Sequence, residues 1–193
     1  CVNGIRDVVA KSGVPADEIK GVGLSGQMHG LVMLDKDNKV IRKSIIWCDQ
    51  RTGKEVVEIT EKVGHDRLIA ITANPAITGF TAAKIMWVKN NEPENYEKCR
   101  HILLPKDYIR FMLTGEFATE VSDASGMQLL DIPGRCWSDE VLTKLGIDKS
   151  LLAKVYESPE ITGTVTKAVA QATGLKEGTP VVGGAGDNAA AAV

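Results

Sequence analysis

The sequence predicts an α/β fold, on three observations. Apolar residues recur at helical spacing in several segments, short runs of branched aliphatics stand between them, and glycine- or proline-marked turns separate the two kinds. No internal repeat, low-complexity segment or long linker interrupts the pattern, so the 193 residues read as one unit.

In order along the chain, residues 2–12 place Val2, Ile5, Val8 and Val9 on one helical face, and Gly13 ends that element. Residues 20–34 read as extended, with Val22 and Leu24 alternating and an apolar run over 31–34. The polar turn DKDNK (35–39) leads into a further strand over 40–47, which makes an antiparallel hairpin. Asp49 is expected to cap a helix over 50–63 that buries Val56, Val57, Ile59 and Val63 and ends at Gly64. Residues 81–89 form a helix packing Ile85, Met86 and Val88, with Trp87 close by, broken by Asn91-Glu92-Pro93. A short apolar run over 102–104 precedes Pro105, whose fixed φ and missing N–H suit the start of a helix over 107–113 that Gly115 stops. Ser138 caps another, with Asp139 and Glu140 in its first turn and Val141, Leu142 and Leu145 facing inward. Residues 167–172 are a last short helix before Gly174 and a terminal strand, Thr179-Pro180-Val181-Val182.

Composition narrows the function classes. Apolar content of 44% and charged content of 25% are those of an ordinary globular protein. A net charge of −2 with both signs interspersed leaves no basic stripe for nucleic acid or anionic lipid. Apolar runs fall short of the roughly 18 residues a membrane span needs, so neither nucleic acid nor membrane is expected as a partner. Cys1, Cys48, Cys99 and Cys136 are widely spread, with no C-x-x-C pair, which argues against structural zinc and reads as four reduced thiols of a cytoplasmic protein.

Two segments carry chemistry. In GGAGDNAAAAV (183–193), one carboxylate, Asp187, stands among glycines between an extended stretch and an alanine tract. Glycine lets a backbone approach a ligand, alanine favours helix, and a helix N-terminus attracts anions. The acid is therefore suited to meeting a hydroxyl and a phosphate. Two other readings stay open at this point. Such turns also serve close packing alone, and residues 184–189 fit the dinucleotide pattern G-x-G-x-x-A. The latter needs a further acid roughly 20 residues on, and the chain stops first. The second segment is SGQMHG (25–30), where flanking glycines leave Gln27, Met28 and His29 room to approach a ligand. An imidazole offers both a donor and an acceptor to vicinal hydroxyls, although a structural histidine is the competing reading. GVGLSG (21–26) matches G-x-G-x-x-G by letter, but a strand rather than a helix follows it, so it reads as a glycine-rich strand edge.

The chain resembles the FGGY carbohydrate kinase family, most closely its xylulokinases. The likeness is carried by SGQMHG (25–30), IIWCDQRT (45–52), GFTAAKIMWVKNNEPE (79–94), LLPKDYIRFMLTGEFATEVSDASG (103–126), EITGTV (160–165) and GGAGDNAAAAV (183–193), in the family order. The resemblance implies a ribonuclease H-like (actin/hexokinase-like ATPase) domain, incomplete at both ends. Residues 1–193 would be a partial N-terminal, sugar-binding domain without the first phosphate-binding hairpin and the C-terminal nucleotide domain. An opening Cys1 and an uncapped alanine tract at the end fit an internal piece of a longer protein.

The implied reaction is transfer of the γ-phosphoryl group of ATP to the 5-hydroxyl of D-xylulose. Asp187 would be the catalytic base and Met28 and His29 sugar contacts, with Asn188 a further one. Magnesium would bridge the ATP phosphates, and a homodimer is left open as the assembly. Trp47 and Asp49 fit the family motif but read as core and helix cap. Gluconokinase, ribulokinase and fuculokinase are the rivals within the family, and a non-catalytic sugar-binding module is the rival outside it.

Overall fold

The computed structural model describes residues 1–193. Its first element is α1 (Val2–Ser12), closed by Gly13 in the left-handed conformation, φ 66°, that side chains rarely adopt. Strands β1 (Ser25–Gly26) and β2 (Val32–Leu34) lead to four helices, α2 (Gly53–Val63), α3 (His65–Thr72), α4 (Thr81–Asn91) and α5 (Pro93–Lys98). The middle of the chain is β3 (His101–Leu103), α6 (Pro105–Thr114), β4 (Ala118–Glu120) and α7 (Val121–Ala124). Next come β5 (Leu130–Asp131), β6 (Cys136–Trp137), α8 (Asp139–Leu145), β7 (Lys154–Tyr156), β8 (Ile161–Thr164) and α9 (Lys167–Thr173). The last elements are β9 (Pro180–Val182), β10 (Ala185–Gly186) and α10 (Asp187–Ala191). No helix is long and apolar enough to cross a membrane.

The strands pair across long sequence separations. β1 runs parallel to β10, with Ser25 opposite Ala185 and Gly26 opposite Gly186, and a parallel bridge from Val22 to Val181 extends that contact upstream. β8 pairs antiparallel with β9. β4 pairs parallel with β7, and β2 antiparallel with β3. The main core lies where α2, α3, α4 and α8 pack on β2 and β3, and it includes Met33, Ile59, Leu68, Ile85, Met86, Ile102 and Leu142. Each such side chain contributes about 1.5–3 kcal/mol by leaving water, so this helical layer anchors the strands beside it. A smaller cluster of Val165, Leu175 and Val181 takes Ile5 and Val9 from α1.

Most predicted elements are present, with four corrections. The hairpin over 20–47 is sparse. Leu31 bridges Ile45 and Leu34 bridges Val40, but β2 makes its ladder with β3. Val32, Met33 and Leu34 are all buried, so the strand needs cover on both faces, and the mostly exposed 40–47 segment contributes little beyond Ile45 and Ile41. Asp49 does not cap α2. Its carboxylate accepts the Arg51 amide at 3.0 Å and pairs with the Arg51 guanidinium at 2.8 Å, while Thr52 stands at the helix start. Val57 is exposed on α2, where Glu55 takes a buried position. Trp47 is 57% exposed and is not core. Helix α3 has no counterpart in the sequence reading, and GVGLSG is extended, as expected.

Candidate functional site

Because β1 and β10 are parallel neighbours in register, they end side by side. The carboxyl ends of such strands are where α/β sheets bind ligands. β1 delivers the 27–30 loop to this edge, and β10 delivers Asp187, the first residue of α10. The Asp187 carboxylate is exposed, and its Oδ1 accepts the Met28 backbone N–H at 3.3 Å. Asn188 Nδ2 stands 4.0 Å from the Met28 sulfur. Gln27, Met28, His29, Trp47, Asp187 and Asn188 line one concavity of about 270 Å³. The structure thus brings together all four residues singled out in the sequence, from segments some 159 positions apart.

His29 is held from several sides. Its backbone is left-handed, φ 68°, which is uncommon outside glycine and turns the loop sharply. Its Nδ1 lies 3.0 Å from the Gly126 carbonyl. A carbonyl only accepts, so Nδ1 carries the hydrogen and Nε2 is the ring nitrogen left for a ligand. The ring stacks on Phe80 with centroids 4.5 Å apart. A side chain at Gly126 would run into the imidazole, so glycine is required for this contact. Burial holds the His29 pKa below its ordinary 6.5; Lys84 adds to that, while the Gly126 bond and Asp187 act against it. At neutral pH the ring is uncharged, and Nε2 can accept a hydrogen bond from a hydroxyl.

Beneath the loop lies Lys84 of α4, fully buried. Its Nζ donates to the carbonyls of His29 at 2.7 Å and Gly79 at 2.6 Å, and Thr81 Oγ1 also donates to the His29 carbonyl at 3.2 Å. Burial pulls the Lys84 pKa down to about 8, against the opposing pull of Asp49 and Cys48. A lone lysine among Ala82, Ala83, Ile85 and Met86 was a readable sign of a buried cation with fixed partners. Trp47 also lines the concavity, although a tryptophan after two isoleucines resembles core in the sequence.

A larger groove of about 740 Å³ lies between the 35–41 turn and α5, lined mostly by charges of both signs, among them Asp35, Lys36, Lys39, Glu94 and Lys98. It gathers no aromatic or convergent catalytic groups, so the smaller concavity is the candidate site. The magnesium ion implied by the resemblance has no set of three or more His, Cys, Asp or Glu side chains arranged to hold it here.

The sequence over residues 1–193 matches the family described as "FGGY family of carbohydrate kinases, N-terminal domain". The chain is 43% identical over 192 residues to a xylulose kinase of Bacillus subtilis (strain 168), covering 100% of this chain and 38% of that protein. Among solved structures, a "xyloylose kinase" from Brucella ovis superposes with a TM-score of 0.88 at 38% identity, over 98% of this chain and 38% of the other. The xylulose kinase from Rhodospirillum rubrum gives 0.91 at 28% identity, over 99% and 40%. The fold is therefore that of the actin/hexokinase-like ATPases, and the chain spans about 38% of the length of the relatives it matches. By its full-length match to the family and by these relatives, the chain belongs to the FGGY family of carbohydrate kinases.

Proposed function

We propose that this chain supplies the sugar-binding wall and the general base of a cytoplasmic enzyme that phosphorylates D-xylulose with ATP. The observation that carries the reading is a single concavity in which an exposed carboxylate, Asp187, faces the neutral ring of His29. The xylulose kinases among the relatives support the choice of sugar. Met28, His29 and Asn188 hold the ketose, and Trp47 offers an aromatic face to its carbon skeleton.

The chemistry follows from this placement. Asp187 orients the 5-hydroxyl, whose oxygen forms a bond to the γ-phosphorus of ATP while the bond to the β-phosphate oxygen breaks. The hydroxyl proton passes to the Asp187 carboxylate, giving D-xylulose 5-phosphate and ADP. Transition states for phosphoryl transfer are loose, so the carboxylate acts mainly by positioning the alcohol and takes the proton late.

The test is a coupled ADP-release assay of the full-length protein on D-xylulose, D-gluconate, D-ribulose and L-fuculose. The reading expects the highest kcat/KM on D-xylulose. A higher value on another sugar moves the enzyme elsewhere in the family, and absence of sugar-dependent ADP release identifies a binding module.

A further inference from the structure

We propose that Glu120, Ser122, Lys106 and Arg110 are positioning residues that set the reacting geometry of Asp187, an inference that rests on Asp187 being the base. The Asp187 side chain is exposed and has one protein contact, at 3.3 Å. Its placement is therefore set by the backbone that carries it, residues 183–186, which is held by buried Lys106 and Arg110 at one end and by half-buried Ser122, backed by buried Glu120, at the other.

At the upstream end, the Gly183 carbonyl accepts from Lys106 Nζ at 3.2 Å and from Arg110 Nη1 at 2.5 Å. At the downstream end, the Gly186 N–H donates to Ser122 Oγ at 3.1 Å. That hydroxyl in turn donates to Glu120 Oε1 at 2.9 Å. Glu120 also accepts the amides of Ser122 and Asp123 and the Ser158 hydroxyl, all within 2.9 Å. The two anchors are one network, because Lys106 Nζ lies 3.3 Å from Glu120, 3.0 Å from Asp107 and 3.5 Å from Asp123. Arg110 pairs with Asp107 at 2.7 Å.

All five of these charged-type side chains are at most 3% exposed. Burying so many ionisable groups is expensive, and an apolar core of equal volume would hold the same elements together at least as well. What an apolar core could not do is grip a carbonyl and an amide three residues apart. Burial, helped by Asp107 and Glu120 and opposed by Lys106, pushes the Asp123 pKa up to about 8. The cluster sets Lys106 and Arg110 among Asp107, Glu120 and Asp123. Close packing completes the mount, since a side chain at Gly183 would come within 2.8 Å of the Glu157 carbonyl.

Ser122→Ala in the full-length enzyme tests this with little threat to folding, because it removes one partly exposed hydroxyl. Small misplacement of a reacting group costs up to about 10²-fold in rate. We expect kcat to fall roughly 10- to 100-fold with sugar KM unchanged, Ser122→Thr to restore most of it, and the Gly186 amide to exchange faster with solvent. In an Asp187→Ala background the same substitution should cause no further loss, since residues acting as a unit are not additive. Unchanged kcat in Ser122→Ala, or a full multiplicative loss in the double variant, would overturn the positioning role alone. Wild-type turnover in Asp187→Ala alone would instead remove the base assignment on which it rests.

Discussion

The two walls of the concavity are built by opposite means. On the His29 wall, the ring itself is fixed, by Gly126 at 3.0 Å and by stacking on Phe80, while Lys84 holds the carbonyl of the same residue. On the other wall the Asp187 side chain is nearly free, and it is the backbone behind it that is gripped. A group that recognises a hydroxyl gains from losing its rotamer freedom before binding. A base has to keep its lone pairs available for the reacting proton, so rigidity belongs in its support and not in its carboxylate.

The contrast can be broken one wall at a time. Asp187→Ala should have the largest effect, lowering kcat roughly 10²–10⁴-fold with stability unchanged in chemical denaturation, since the residue is exposed. His29→Ala should act on binding, raising the sugar KM about tenfold, the value of one or two hydrogen bonds, with a smaller change in kcat. An unchanged KM would make His29 a structural residue. Lys84→Met leaves the Gly79 carbonyl without its donor and the His29 carbonyl with only Thr81. It should cost about 1–3 kcal/mol of stability and also raise the sugar KM, measured by urea titration and steady-state kinetics.

The smallest expected effect is the pH dependence of sugar KM. Because burial places the His29 pKa below 6.5, KM should be level through neutral pH and rise only as acid protonates the ring. Protonation turns Nε2 from acceptor to donor and puts a positive charge near Lys84. A KM that rises toward alkaline pH instead would assign the sensitivity to Lys84, whose pKa is about 8.

Local signals in the sequence carried much of this account. Gly13, Gly115 and Gly174 end helices in the left-handed conformation, and Ser138 Oγ caps α8 by accepting the Val141 amide. The conjunction of SGQMHG with the terminal aspartate was legible as chemistry, although only the parallel pairing of β1 with β10 makes the two segments neighbours. What the chain did not reveal is what depends on distant partners. Trp47 is exposed because the 40–47 segment touches the 31–34 run only through isolated bridges at Val40 and Ile45 and leaves the sheet beyond them. Asp49 is drawn to Arg51 rather than to the helix start, since a charge-assisted bond to guanidinium is stronger than one to a lone amide. The buried cluster of Lys106, Arg110, Glu120 and Asp123 looks like ordinary surface charge in one dimension, and only the fold turns it inward.

The most direct test is a crystal structure of the full-length protein with D-xylulose bound. The account predicts the 5-hydroxyl within about 2.6–3.2 Å of an Asp187 carboxylate oxygen, with another sugar hydroxyl on His29 Nε2. A ketose seated with its 5-hydroxyl out of reach of Asp187 would contradict it.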